Sequence, residues 1–395
     1  MQDDPIVIVG MARTAMGGLM GELSTVAAPE LGSVGIAAAL ERAGVPVDGV
    51  DEVYMGNVLP AGLGQAPARQ AALGAGLPQS APCTTVSKVC GSGMKATMLA
   101  YDGLRVGNGR IAVAGGMENM SRAPYLLDKA RGGYRLGHGQ VTDHMFFDGL
   151  EDAYDKGQLM GKFAEKCANH FSFSRDAQDH YAETSLARAR EAGGNGVFDA
   201  EIATVTVKGR KGEHHVSRDE QPLNASLEKI RTLKPAFAKD GTVTAANASS
   251  ISDGAAALVL MPLSEAEQRG LKPLAAIRGH ASHAQEPAWF TTAPVGAVQK
   301  LFQRTGWSNA DVDLYEINEA FAVVVMAAMK ELDIAHDRVN VHGGACALGH
   351  PIGASGARII VTLVNALQTH GLKRGVASLC IGGGEATAMA IELMN

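Results

Sequence analysis

Short continuous apolar runs alternate along this chain with alanine-rich stretches of helical character. The run Pro5-Ile6-Val7-Ile8-Val9-Gly10 has no polar alternation and is closed by glycine, which suits a strand covered on both faces. The pattern then predicts a helix over 29–43, with Leu31, Val34, Ile36 and Leu40 on or near one face. A strand and turn over 50–58, a helix over 65–73, a strand over 84–86 and a helix over 94–104 follow. A further strand over 110–114 ends at Gly115-Gly116-Met117-Glu118. This alternation predicts the α/β class.

The same order returns after residue 270. Residues 273–278 match the first strand, 295–305 the first helix, and Val312-Asp313-Leu314-Tyr315-Glu316-Ile317 matches Val50-Asp51-Glu52-Val53-Tyr54-Met55. Residues 343–367 match the stretch around Cys90 with its helix, and 376–385 match 111–118. A duplication of this length predicts two similar halves facing each other, with a site that draws a loop from each; solenoid repeats are much shorter. The expected division is 1–119 with 250–270 as the first half, 120–249 as an inserted region, and 271–395 as the second half. The insert is richer in charge and aromatics. It contains a helix capped by Ser174 and ending at Gly193-Gly194, and a hairpin over 205–207 and 214–217 around Lys208-Gly209-Arg210-Lys211-Gly212.

Composition narrows the function. At 395 residues the chain exceeds one ordinary core. Its 48 glycines and 5% aromatics fit close-packed backbones with many strand-to-helix turns. A net charge of −6 without dense Lys/Arg runs argues against nucleic acid. The five cysteines, Cys83, Cys90, Cys167, Cys346 and Cys380, form no CxxC pair, so a reducing compartment is expected. The start, Met1-Gln2-Asp3-Asp4-Pro5, lacks a signal pattern, and glycine or charge interrupts every apolar run before membrane-spanning length. A cytoplasmic enzyme acting on small molecules is the expectation.

Cys90 lies in Ser87-Lys88-Val89-Cys90-Gly91-Ser92-Gly93-Met94, where a strand gives way to a helix. The unpaired amides and positive end of the helix dipole there favour a thiolate; a buried structural cysteine at a tight turn is the alternative. His350 sits in a glycine-rich loop just before a helix, placed to act as base toward a thiol. His342, Cys346 and His350 are four apart, as metal ligands on one helical face would be, but the intervening glycines and Pro351 break that helix. Cys380 follows a strand and precedes Gly382-Gly383-Gly384, whose exposed amides suit an oxyanion hole. Asn318, at another strand end, either holds a water or carbonyl oxygen or caps a helix. Two cysteines, a histidine and an asparagine at strand ends point to acyl transfer through a thioester.

Four stretches, `SKVCGSGMKA` at 87–96, `NEAFA` at 318–322, `GGACALGHPIGASGARI` at 343–359 and `CIGGGEA` at 380–386, resemble the thiolase family, and the resemblance runs the length of the chain. It implies a duplicated αβαβα layered fold with an inserted loop domain that binds CoA and mediates tetramerisation. `RGGYRLGHG` at 131–139 resembles a tetramerisation loop, and with `TVTAANASSISDGAAA` at 242–257 it is similar to the biosynthetic members. The implied reaction is that of an acetyl-CoA C-acetyltransferase: ping-pong Claisen condensation of two acetyl-CoA, reversible as thiolysis. In it Cys90 takes the acyl group, His350 activates Cys90, and Cys380 abstracts the Cα proton. His350 with a water on Asn318 forms one oxyanion hole, and the amides of Cys90 and Gly382 form the other. Met160, Phe237, Ser249, Phe290, Ala320 and Phe321 match CoA or substrate contacts. No metal and no cofactor beyond CoA are implied. The chain departs from the common pattern at Leu159, Ser250, Phe290, His342 and Cys346, which bears on acyl-chain preference. Rival expectations are a 3-ketoacyl-CoA thiolase for longer chains and a non-catalytic acyl-CoA or lipid carrier.

Overall fold

A computed structural model describes residues 4–209 and 212–394; Met1, Gln2 and Asp3 of the acidic start and Arg210 and Lys211 of the hairpin tip lie outside the described residues. Nine strands form the spine: β1 (Ile6–Thr14), β2 (Glu52–Gly56), β3 (Cys83–Val86), β4 (Ala112–Asn119), β5 (Ser252–Pro262), β6 (Ala275–Ala284), β7 (Leu314–Ile317), β8 (Arg374–Ile381) and β9 (Glu385–Leu393). Their order is β7-β8-β9-β6-β1-β5-β4-β2-β3.

The duplication is written into this order. From the centre outward, β1-β5-β4-β2-β3 repeats as β6-β9-β8-β7, with antiparallel pairs β1/β5 and β6/β9, then antiparallel β5/β4 and β9/β8, then parallel β4/β2 and β8/β7. The fifth position, β3 beside β2, is answered by a parallel bridge between Tyr315 and Val339. Both inner strands even slip register at the same place, between Ile8 and Gly10 and between Ile277 and Gly279. The two sets meet where Val7 and Ile8 pair with Ala276 and Ala275.

Eight helices matter for the site: α1 (Ala28–Ala43), α2 (Pro67–Gly74), α3 (Ser92–Arg105), α4 (Met160–Phe171), α5 (Arg175–Gly194), α6 (Ala293–Thr305), α7 (Ala322–Leu332) and α8 (Ser355–His370). Strand periodicity of two sends Val7 and Val9 into the core with α1 and α2, and Ile6 and Ile8 into the central core with α3 and α8. In the second half Val376 and Ala388 face α6 and α7, while Ala377 and Met389 face α3 and α8. The result is five layers, αβαβα. Continuous apolar runs are what such doubly covered strands require.

The central helices α3 and α8 fix the site. A Cβ on Gly93 would stand 2.8 Å from the amide nitrogen of Ala357, and one on Gly356 would stand 2.3 Å from that of Met94. Their first turns therefore touch backbone to backbone, which only glycine permits. The loops leading into them, carrying Cys90 and His350, are brought to one place.

The insert behaves locally as its sequence indicates. Ser174 Oγ accepts from Ala177 N at 3.1 Å, and α5 ends at Gly194. A hairpin pairs residues 205–209 with 212–216. No helix among the described residues is long and apolar enough to cross a membrane.

Candidate active site

Between β3 and α3 the chain makes a tight turn. Gly91 N donates to Lys88 O at 3.0 Å, Ser92 N to Val89 O at 3.1 Å and Ser92 Oγ to Val89 O at 2.7 Å. This turn holds Val89 at φ 45°, a left-handed conformation a β-branched residue seldom takes, and delivers Cys90 ahead of the helix. The amides of Gly382 and of Cys90 itself face the sulfur. Burial nevertheless pushes the thiol up to about 11, outweighing both amides, with Glu118 adding in the same direction. The thiolate expected from the helix end is therefore not the resting form. Cys90 rests as a thiol and needs a base.

His350, lining the same cleft, can act as one. Its backbone N–H donates to Ser250 O at 3.1 Å, which ties the loop to the segment entering β5. Its Nδ1 lies 2.6 Å from Ser355 Oγ. Burial, then the neighbouring Arg358 cation, lowers the imidazole to about 3, so it is neutral and able to accept a proton. Asn318 Nδ2 lies 3.4 Å from Nδ1 and 3.5 Å from Nε2 of the ring. Asn318 does not cap the following helix, since Phe321 holds that position before α7. Its carbonyl oxygen instead faces Arg358 Nη2 at 3.5 Å, while Arg358 Nη1 faces Glu316 at 3.4 Å.

Cys380 differs in detail from its expected place. It lies inside β8, paired with Ala386, because the β8–β9 ladder continues through Ile381 and Glu385 before the glycine turn. It is 1% exposed, and burial raises its thiol well above the ordinary value, with Cys90 the next cause. The two thiols are thus close enough to influence each other.

Cys90, His350, Cys380 and Gly382 line one cleft of about 350 Å³, together with Met160, Phe237, Ser249, Phe290, Ala320 and Phe321. Asn318 stands behind His350, 1% exposed. The cleft draws Cys90 from the first half, His350, Cys380 and Gly382 from the second, and Met160 and Phe237 from the insert. Ser249 N donates to Ala320 O at 3.0 Å, stitching the insert's end to the asparagine loop. Of the departures from the family pattern, Leu159, Ser250 and Phe290 line the cleft. His342 instead faces His370, Nε2 to Nε2 at 3.2 Å, and Cys346 Sγ contacts Glu319 O at 3.8 Å. These two do not converge with His350 on a common point.

Sequence reasoning passed over Ser355, Arg358 and Glu118. Ser355 and Arg358 were in view within the motif at 343–359, but their partners lie across the fold. Glu118 accepts from Val58 N, Leu59 N and Gly353 N at 2.9, 3.2 and 2.9 Å and from Asn57 Nδ2 at 2.7 Å. It joins the first half to the loop of His350. Burial raises its carboxyl to about 7 against the pull of the three backbone amides.

The profile "Thiolase, N-terminal domain" matches residues 6–264, and "Thiolase, C-terminal domain" matches 271–393. Acetyl-CoA acetyltransferase 2 of Arabidopsis thaliana is 52% identical over 393 residues, covering 98% of this chain and 97% of the relative. The acetyl-CoA acetyltransferase of Escherichia coli is 52% identical over 391 residues, covering 98% and 99%. The crystal structure of the Acat5 thiolase from Ascaris suum in complex with coenzyme A superposes with a TM-score of 0.93 at 42% identity, covering 99% of this chain and 100% of that one. With two cysteines and a histidine meeting in a cleft between duplicated halves, and with these likenesses spanning the chain, the protein belongs to the thiolase family of acyltransferases.

Proposed function

We propose that this enzyme is an acetyl-CoA C-acetyltransferase, condensing two acetyl-CoA to acetoacetyl-CoA and CoA and running the reverse thiolysis through the same groups. The observation that carries the reading is the meeting of Cys90, His350, Cys380 and Gly382 in one cleft. The names of the relatives supply the acyl group.

In this reading each group has its own task. Neutral His350 takes the Cys90 proton as sulfur attacks the thioester carbonyl, and the Cys380 thiol gives its own proton to the departing CoA thiolate, which leaves Cys380 as a thiolate. The carbonyl oxygen of that adduct, and of the acyl-enzyme when attacked, is met by the amides of Cys90 and Gly382. The Cys380 thiolate so formed removes a Cα proton from the second acetyl-CoA and becomes a thiol again. The enolate oxygen is stabilised by His350 and by a water on Asn318, and the carbanion attacks the acyl group on Cys90. That attack forms the new carbon–carbon bond, and collapse of the adduct breaks the bond to the Cys90 sulfur, which regains its proton from His350. CoA enters and leaves as substrate and product, and the reaction calls on no other cofactor.

Phe290, 3% exposed and edge-on to Phe163 and Phe321, supports short acyl groups over the longer 3-ketoacyl chains. Tyr125, Leu136 and Val141 are 68%, 100% and 59% exposed on the segment 125–143; apolar groups so displayed support burial between subunits of a homotetramer. Five free cysteines support a reducing, cytoplasmic setting.

Incubation with acetyl-CoA followed by peptide mass spectrometry tests the roles. The acetyl group is expected on Cys90, and Cys90→Ala is expected to abolish both label and turnover. Label on Cys380 and none on Cys90 would reverse the two cysteines. Binding without turnover would instead make the protein a carrier, and faster thiolysis of long 3-ketoacyl-CoA than of acetoacetyl-CoA would make it a long-chain thiolase.

A further inference from the structure

Two turns from opposite halves are pressed together at the centre of the cleft. One, 88–92, carries Cys90; the other, 381–385, carries Gly382. Contacts run in sequence across them. A Cβ on Gly91 would stand 2.3 Å from Ile381 Cδ1, and one on Gly382 would stand 3.6 Å from Val89 Cγ1. At the far end the Lys88 ammonium is paired with the Glu385 carboxylate.

We propose that Lys88 and Glu385 are positioning residues, whose ion pair holds the Cys90 turn against the Gly382 turn so that sulfur and amide keep the separation the tetrahedral adduct needs. The inference rests on the thiolase reading of the cleft.

Three observations carry it. First, the two groups sit one on each turn: Lys88 is two residues before the nucleophile and Glu385 is three after Gly382. Second, their side chains are 22% and 37% exposed, and an ion pair so accessible to water adds little to the stability of the whole fold. Its consequence is local, at turns that must hold a shape. Third, that shape is strained. Val89, a β-branched residue, is left-handed at φ 45°, and a conformation of that kind persists only where its surroundings over-determine it; Gly383 and Gly384 opposite take φ 88° and 85° without strain. The pair stands at the mouth of this stack, whereas the groups that bear on the charge of Cys90 are the Gly382 and Cys90 amides and Glu118. Lys88 thus acts on position and not on the acidity of the thiol.

The test uses the full-length enzyme and acetoacetyl-CoA thiolysis. Lys88→Met and Glu385→Gln are expected to lower kcat about tenfold, within the loss that a small misplacement of reacting groups produces, with KM changed less than about twofold. The exchange Lys88→Glu with Glu385→Lys is expected to restore kcat to within about threefold of the parent. Thermal midpoints of the single variants stay near that of the parent, and the pH at which iodoacetamide begins to label Cys90 does not move. An unchanged kcat in both single variants, or an exchange variant no better than either, overturns the proposal. A loss carried by KM overturns it too, because it would make Lys88 a substrate contact. Should Lys88→Met fail to fold, Glu385→Gln alone decides by the same kcat criterion. A parent enzyme without thiolysis would sink the thiolase reading itself, a result distinct from an active parent whose variants match it.

Discussion

His350 and Ser355 are locked in one orientation: Nδ1 lies 2.6 Å from Oγ, and that hydroxyl donates onward to Pro351 O at 3.0 Å. Having spent its proton on the carbonyl, the hydroxyl accepts from Nδ1–H. The tautomer is thereby fixed, and Nε2 is left with a lone pair. Ser355→Ala removes the acceptor and lets the imidazole turn or change tautomer. The expected result is a fall in kcat of about a hundredfold with KM within about threefold. Steady-state thiolysis of acetoacetyl-CoA checks it, and an unaltered kcat would show that the ring is held by its other neighbours.

Glu118 performs a related task through the backbone. Its two oxygens take four donors, from Val58, Leu59, Asn57 and Gly353, so one carboxylate joins the first half to the loop three residues beyond His350. Glu118→Gln keeps the volume but turns an NH2 toward N–H groups that need acceptors. A loss of about 2–3 kcal/mol in unfolding free energy is expected, together with reduced kcat as the Gly353 backbone loosens. Urea unfolding beside kinetics measures both. Full stability in this variant would mean that water replaces the lost acceptor.

Much of this was legible in the chain. Alternating apolar runs, the repeated order, Ser174 as a cap and the loop placement of Cys90 and His350 all follow from short-range rules, because each is decided by residues within a few positions. What stayed hidden depends on contacts across the fold. The Cys90 thiol was expected to be lowered by its helix, but burial between the two halves reverses the sign. Whether Asn318 caps a helix or serves the site is decided only by Phe321 in the cap position and by Arg358, forty residues on, facing its carbonyl. His342, Cys346 and His350 share a spacing but not a direction, since the glycines separating them turn each side chain to a different partner.

The proposed preference for short acyl groups rests on Phe290, which lines the cleft. It is buried against Phe163 and Phe321, with ring centroids 6.4 and 6.5 Å away, and it shares a core with Cys380 and Met160. Phe290→Ala removes a ring that lines the cleft together with Cys90 and Cys380. Relative kcat/KM for six-carbon over four-carbon 3-ketoacyl-CoA is expected to rise about tenfold, in line with the small discrimination an apolar pocket achieves per methylene. Stability is expected to drop by about 3–5 kcal/mol, so thermal unfolding is followed alongside. A ratio unchanged in a folded variant would assign chain length to Leu159 or Leu150, on the same cleft.

The depressed basicity of His350 also makes stability depend on pH. The imidazole is held at about 3, against an ordinary value of 6.5. Between those values the unfolded chain binds a proton that the native protein does not, so unfolding free energy rises with pH through the window and is lost as pH falls. One proton corresponds to about 1.4 kcal/mol per pH unit, or about 2 kcal/mol between pH 6.5 and pH 5. His350→Asn cannot titrate, so the difference in unfolding free energy between these two pH values is expected to shrink by about that amount. His336, lowered to about 4 by burial, acts in the same sense but is present in both proteins and cancels. Urea unfolding at the two pH values decides: equal differences in parent and variant would mean that His350 takes up its proton in the folded state as readily as in the unfolded chain, and a neutral base for Cys90 would then require a pH above 6.5.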